Sequence, residues 1–196
     1  VLGAGVMGAQ IAAHLTNAGV DTVLFDLPAK DGHPDGIVHK AIANLAKLSP
    51  APLASKFLAE AITPANYETG LEHLKGCDLI IEAVFENREL KAQVTKEAEG
   101  MLAEGGFFAS NTSTLPISGL AQASAKPEKF VGIHFFSPVD KMKLVEIIRG
   151  KQTDDETVAR AFDYVLALGK LPIVVNDSRG FYTSRTFGTY VMEGAA

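Results

Sequence analysis

Val1-Leu2-Gly3-Ala4-Gly5-Val6-Met7-Gly8 opens the chain and decides its fold. Two apolar residues lead into a G-x-G-x-x-G, and Ile11, Ala12 and Leu15 follow at helical spacing. Eighteen residues past Gly8, at the end of the apolar run Val23-Leu24-Phe25, stands Asp26. Strand, Gly-rich turn, helix, strand and acid in this order are what holding a dinucleotide requires. Gly3 permits the tight turn, Gly5 lets the backbone approach a pyrophosphate, and Gly8 lets helix and strand pack closely. The helix N-terminus presents unpaired N–H groups and a positive dipole end to phosphates. Asp26 can accept hydrogen bonds from ribose hydroxyls and would repel a 2′-phosphate, which favours NAD. Lys30, shortly after it, leaves NADP as the minority reading. The bland alternative is a Gly-rich connection in an unrelated α/β protein.

Outward from the fingerprint, helical and apolar segments alternate. Ala9 to Ala18 reads as a helix with Gly19 as its cap, Thr22 to Asp26 as a strand, and Pro28 to Gly36 as a loop. Helices are expected over Gly36 to Leu48, Leu53 to Ala61, Arg88 to Ala103 and Asp154 to Leu168, with a short one after Pro116. Strands are expected at 61–63, stopping before Pro64, and at 78–84, 106–110, 130–135, 144–148 and 171–175. Alternation of this kind implies a doubly wound, mainly parallel sheet. The short spacing of the last strands suggests antiparallel pairing there. A boundary falls at Asn176 to Gly180, dividing residues 1–178 from 179–196. The first strand should start before Gly3, and Phe181 to Ala196 reads as a helix in progress, so the chain is expected to be part of a longer protein.

Composition sets wide bounds. The chain has 196 residues, 47% hydrophobic and 21% charged, as an ordinary globular domain does. A formal net charge of −5 argues against nucleic acid or an anionic membrane as partner. Cys77 is the single cysteine, which excludes an internal disulfide and fits a reducing, cytoplasmic setting. It reads as packing, not as a nucleophile. No apolar run approaches the roughly 20 residues that span a bilayer. No metal is expected.

Three segments could carry chemistry. In Ile81-Glu82-Ala83-Val84-Phe85-Glu86-Asn87, followed by Lys91, the charges of Glu86 and Lys91 stand past a parallel strand, where such sheets bind ligands. The competing reading is a solvated helix start. Ser110-Asn111-Thr112-Ser113-Thr114 offers small hydrogen-bonding groups past the next strand, or else an N-cap cluster for the helix after Pro116. His134 lies in Val131-Gly132-Ile133-His134-Phe135-Phe136, and Glu146 follows twelve residues later inside Leu144-Val145-Glu146-Ile147-Ile148. A carboxylate inside an apolar strand needs a partner. His134 supplies one, and the pair would make a base of defined tautomer for oxidising a hydroxyl beside nicotinamide. A histidine satisfied in the core is the alternative.

These residues together resemble the NAD-binding domain of L-3-hydroxyacyl-CoA dehydrogenases. GAGVMGAQIA, IIEAVFEN, ASNTSTLPIS, GIHFFSPVDKMKLVEII and DSRGF carry the likeness over nearly the whole chain. It implies a Rossmann-like fold, NAD, and oxidation of L-3-hydroxyacyl-CoA to 3-oxoacyl-CoA in fatty-acid β-oxidation. It implies His134 as the base, Glu146 as the acid that orients it, and Ser113 at the substrate's reacting oxygen with Asn111 beside it. It places Glu86 and Lys91 at the cofactor's ribose and nicotinamide, and Gly3, Gly5, Val6, Met7, Gly8 and Asp26 at the phosphates and ribose. Where the family has a substrate-holding Asn, this chain has Ser184, shorter and without an amide. The loop DLPAKDGHPDG resembles a subgroup in which the domain belongs to a longer chain with an enoyl-CoA hydratase part. The resemblance implies a helical second domain, of which residues 179–196 are the start, and a homodimer at full length. A stretch limited to these residues is expected to bind NADH and turn over acyl-CoA poorly. The rivals are a nucleotide-binding module without catalysis, which needs neither His134 nor Glu146, and a non-CoA hydroxyacid dehydrogenase, which would rely on a lysine base.

Overall fold

The computed structural model describes residues 1–195; the last residue expected in the final helix, Ala196, lies outside them. Seven strands and six α-helices carry the architecture. They run α1 (Val6–Asn17), β1 (Thr22–Asp26), α2 (Gly36–Leu45), β2 (Ile62–Asn66), β3 (Leu79–Glu82), α3 (Arg88–Ala98) and β4 (Phe107–Ser110). Then follow α4 (Ile117–Leu120), β5 (Phe130–Phe135), β6 (Leu144–Arg149), α5 (Asp155–Ala167), β7 (Leu171–Asn176) and α6 (Thr183–Gly194).

Leu2 joins two sheets into one. It pairs in parallel with Phe25 on one side and Glu82 on the other. Its amide donates to the Ile81 carbonyl at 2.8 Å and its own carbonyl accepts from Ala83 at 2.7 Å. The order is therefore β2-β1-(Leu2)-β3-β4-β5-β6-β7, parallel except where β6 opposes β5. The chain winds one way from Leu2 to β2 and the other way from β3 onward. The switch point between Leu2 and β3 opens a crevice at the carboxyl edge of the sheet.

Both faces are covered, as a mostly parallel sheet requires. Ile11, Leu15, Ala161 and Val165 of α1 and α5 pack with Ile81, Val131, Ile133 and Val145 on one face. Val94, Ala98, Ile117 and Leu120 of α3 and α4 pack with Ile80, Phe108, Phe130 and Phe181 on the other. Along β5 the pleat alternates, so His134 shares its face with Phe130. In the antiparallel pairing with β6, His134 stands directly opposite Glu146.

The α/β class, the doubly wound order and the antiparallel β5–β6 pair agree with expectation, and several boundaries are corrected. Leu53 to Ala61 is not an α-helix; only a 3₁₀ turn, Lys56–Ala61, forms. The Asn17 side chain donates to the Pro52 carbonyl and accepts from the Ala54 amide, which holds the segment out of a helix. The second helix stops at Leu45 and not at Leu48. The third stops at Ala98, short of Ala103, where Glu99 turns its carboxylate to Ser124 and the Ala125 amide. Strand β2 runs through Pro64 to Asn66, because an edge strand tolerates a residue without a donor. Asp154 caps α5 by accepting from the Thr157 amide at 2.7 Å.

Candidate active site

The carboxyl edge collects most of the residues singled out above. At its start, Gly3 has φ +98, and a Cβ there would meet the Ala83 carbonyl oxygen at 2.7 Å. A Cβ on Gly8 would fall 1.7 Å from the Gly3 carbonyl oxygen, so α1 reaches the strand only because that atom is missing. Helix α1 has no acidic residue in its first turn and no side-chain cap. Its first amide bond is made by Ala9 to Gly5, leaving the N–H groups of Val6, Met7 and Gly8 free within the helix. Asp26 is pinned at the neighbouring strand end. Its Oδ2 accepts from the Ala4 amide at 2.6 Å and its Oδ1 from the Leu27 amide at 2.7 Å. Free helix amides, an open turn and a fixed acid match a pyrophosphate and a ribose.

Past β3, burial overturns one alternative. Lys91 is not a solvated helix-start residue but is 2% exposed. Its ammonium donates to Glu82 Oε1 at 2.6 Å and to the Val84 carbonyl at 3.2 Å, and it pairs with Glu86 Oε2 at 3.2 Å. Glu82, 1% exposed, also accepts from the Ser110 hydroxyl at 2.7 Å and the Val84 amide at 2.8 Å. Glu86 accepts from the Thr112 and Thr114 hydroxyls. Burial alone would raise the Glu86 carboxyl; the Thr112 hydroxyl, the Lys91 charge and the Thr114 hydroxyl outweigh it and hold it below the usual range.

The third group is a connected chain. Ser113 Oγ lies 3.0 Å from His134 Nε2, and His134 Nδ1 lies 2.8 Å from Glu146 Oε2. Glu146 is 0% exposed and His134 5%. An ionised carboxylate only accepts, so Nδ1 carries the proton and Nε2 keeps its lone pair toward the exposed Ser113. Phe136 and Phe181 flank the imidazole with ring centres at 4.4 and 6.0 Å. Asn111 accepts from the Phe135 amide at 2.9 Å and so ties the loop to the end of β5. Ser184 is exposed on the first turn of α6.

Burial by itself would also raise Glu146, but hydrogen bonds from His134 and from the Thr183 amide and hydroxyl, with the His134 charge, hold it low. A carboxyl depressed in the folded state contributes stability present above its unfolded value, about 4.3, and lost as pH falls through the lower folded one. Resistance to urea unfolding is therefore expected to fall with acid below about pH 5. Glu146→Gln is expected to flatten that slope by up to one proton, about 1.4 kcal/mol per pH unit. Equal slopes in the two proteins would refute the assignment.

Glu82, Thr112 and Thr183 were not singled out by sequence. Glu82 carried the same signal as Glu146, an acid inside an apolar strand. Cys77 is half-buried and burial pushes its thiol up, as packing implies. His33, Asp35 and His39 bring one potential ligand atom each within 4.8 Å. Asn66 donates to Asp35 Oδ1 at 2.6 Å and the Asp35 amide donates to His33 Nδ1 at 3.1 Å, contacts that fasten the loop before α2 to β2. No helix among the described residues is long and apolar enough to cross a membrane.

A fingerprint turn at a switch point, beside an acid at the next strand end, defines a dinucleotide-binding domain of the doubly wound class. The chain belongs to the family described as "3-hydroxyacyl-CoA dehydrogenase, NAD binding domain", whose model matches residues 1–178. NAD is accordingly its cofactor, and the residues at the turn fit that group. The chain is 40% identical over 203 residues to the fatty acid oxidation complex subunit alpha of Colwellia psychrerythraea, a match covering 100% of this chain and 28% of that protein. It therefore spans under a third of that relative's length. Among solved structures it is similar to FadB2 of M. tuberculosis, with TM-score 0.83 and 28% identity, covering 99% of this chain and 68% of that one. It is also similar to (S)-3-hydroxybutyryl-CoA dehydrogenase PaaH1 of Ralstonia eutropha, with TM-score 0.82 and 33% identity, covering 100% and 71%.

Proposed function

We propose that this chain is the NAD-binding and proton-transferring part of an enzyme that oxidises L-3-hydroxyacyl-CoA to 3-oxoacyl-CoA in fatty-acid oxidation. The observation that carries the reading is the hydrogen-bonded chain Ser113–His134–Glu146 at the carboxyl edge that also holds the fingerprint turn. Bound at that edge, NAD supplies the hydride acceptor. Ser113 donates its hydroxyl hydrogen bond to the substrate's C3 oxygen and directs it at His134. The Nε2 lone pair takes the hydroxyl proton as the carbonyl forms, and Glu146 stabilises the resulting imidazolium through Nδ1. Glu86, locked by Lys91, Thr112 and Thr114, lines the ribose and nicotinamide side, with Lys91 acting through it. Asn111 is available to either ligand through its amide nitrogen, which makes no hydrogen bond among the described residues. Ser184, at the α6 start, gives the acyl-CoA a shorter contact than the family's Asn.

We further propose that residues 1–178 form the nucleotide unit and that 179–196 open a helical domain completing the acyl-CoA cleft and the homodimer. A cytoplasmic setting goes with this reading and is supported by the single, unbridged cysteine. The test is NADH oxidation with acetoacetyl-CoA by the full-length protein. Turnover is expected, and its failure despite measurable NADH binding would favour the non-catalytic module.

A further inference from the structure

Glu146 is completely buried, and His134 is only one of its four hydrogen-bond partners. Its Oε1 accepts from the amides of Tyr182 at 3.1 Å and Thr183 at 2.8 Å. Its Oε2 accepts from the Thr183 hydroxyl at 2.8 Å, beside His134 Nδ1 at the same distance. Three of the four contacts come from the start of α6, one from Tyr182 at its N-cap and two from Thr183, and the helix has no side-chain cap of its own. A strand carboxylate thus does the work that an N-cap residue ordinarily does for a helix.

The chain is bent to make this possible. Gly180 has φ +73 and Phe181 φ +48, a left-handed conformation that residues with a Cβ seldom adopt. The Phe181 ring, 1% exposed, is anchored in the core beside the imidazole. Two left-handed residues in succession aim the amides of Tyr182 and Thr183 at β6.

We propose that Thr183 is a positioning residue for the His134–Glu146 pair, so that the seating of α6 sets the basicity of the imidazole. A carboxyl group turns easily about its last torsion. Donors on both oxygens hold it in the orientation that gives Oε2 to Nδ1, which leaves Nε2 facing Ser113. A retreat of α6 by about 1 Å would carry three of the four partners beyond hydrogen-bond reach. The residues in contact with the pair are Ser113, Phe136, Phe181, Tyr182 through its amide, and Thr183, and none of them brings a formal charge. Among the described residues no other ionisable side chain bonds to either member. The α6 donors and His134 are therefore what hold Glu146 ionised against its burial, in line with its lowered pKa. The kinetic part of this inference rests on the dehydrogenase reading; the titration part does not.

The test uses the full-length protein with Thr183→Val, which keeps the shape and the amide, and Thr183→Ser, which keeps the hydroxyl. The pH dependence of His134 modification by diethyl pyrocarbonate, followed by peptide mass spectrometry, reads the imidazole directly. Losing a donor makes the carboxylate a stronger base toward Nδ1, so the midpoint is expected to move upward in Thr183→Val and to return in Thr183→Ser. The value of kcat is expected to fall about tenfold in Thr183→Val, with KM for acyl-CoA within about twofold, and Thr183→Ser restores it. Should Thr183→Val not fold, Thr183→Ala is read in the same way. An unchanged midpoint with only a lower melting temperature would reduce Thr183 to a helix cap and overturn the proposal. Absence of turnover in the unmutated protein would defeat the dehydrogenase reading, and the modification experiment would still decide the role of Thr183.

Discussion

His134→Gln is expected to lower 3-hydroxyacyl-CoA oxidation by a factor on the order of 10²–10⁴, the usual share of a general base. Glutamine is a demanding substitute because it can keep the scaffold. Its amide can donate to Glu146 and its carbonyl oxygen can accept from Ser113, as the imidazole does now. What it cannot do is take and hold a proton near neutral pH. NADH affinity should be unchanged, because the Gly3–Gly8 turn and Asp26 belong to other strand ends. The acid limb of kcat/KM against pH should vanish with the imidazole. Steady-state kinetics and a fluorescence titration of NADH check both parts, and a variant that keeps most of its rate would remove His134 from the chemistry.

Lys91→Met is the second large effect, expected on stability. The ammonium is buried between two carboxylates, and methionine fills similar space without the charge. Glu82 would keep only the Ser110 hydroxyl and the Val84 amide. Removing one partner of a buried pair costs about 3–5 kcal/mol, because the other charge is left behind. Against a typical domain stability of about 5–15 kcal/mol this is a large fraction. Lys91→Met combined with Glu82→Gln should recover part of the loss, since no bare charge then stays inside. Urea unfolding of both singles and the double forms the cycle that measures the coupling. A loss under about 1 kcal/mol for Lys91→Met would mean that Glu82 neutralises at little expense.

How much of this could be read from the chain depended on how local the cause is. Gly3 and Gly8 are legible because the turn demands a positive φ at one and a missing Cβ at the other. Strands β3, β5 and β6 announce themselves as apolar runs, and Asp154 with Gly169 brackets α5 from neighbouring residues. Glu146 could be paired with His134 because an acid among Val145, Ile147 and Ile148 has to be answered by something. The failures have distant causes. Asn17 undoes the helix expected at Leu53, and Pro64 extends a strand because β2 lies at the edge. Lys91 could be placed at the ligand edge, but its burial against Glu82 could not be read, since that follows only from how α3 settles against β3. Thr183 could not be read at all, because its partner lies 37 residues away on a strand.

The direct opposition of His134 and Glu146 in the antiparallel ladder has a practical consequence for anyone altering this protein. Side chains alternate along a strand, so a slip of β6 by one residue would present Val145 or Ile147 to the imidazole and turn Glu146 to the far side. No choice of rotamer could repair that. Residues 136–143, which join the two strands, can be lengthened, shortened or grafted only if the original frame is kept. An insertion inside Leu144–Glu146 should abolish the proposed oxidation as thoroughly as removing the proposed base, while leaving the coenzyme grip intact.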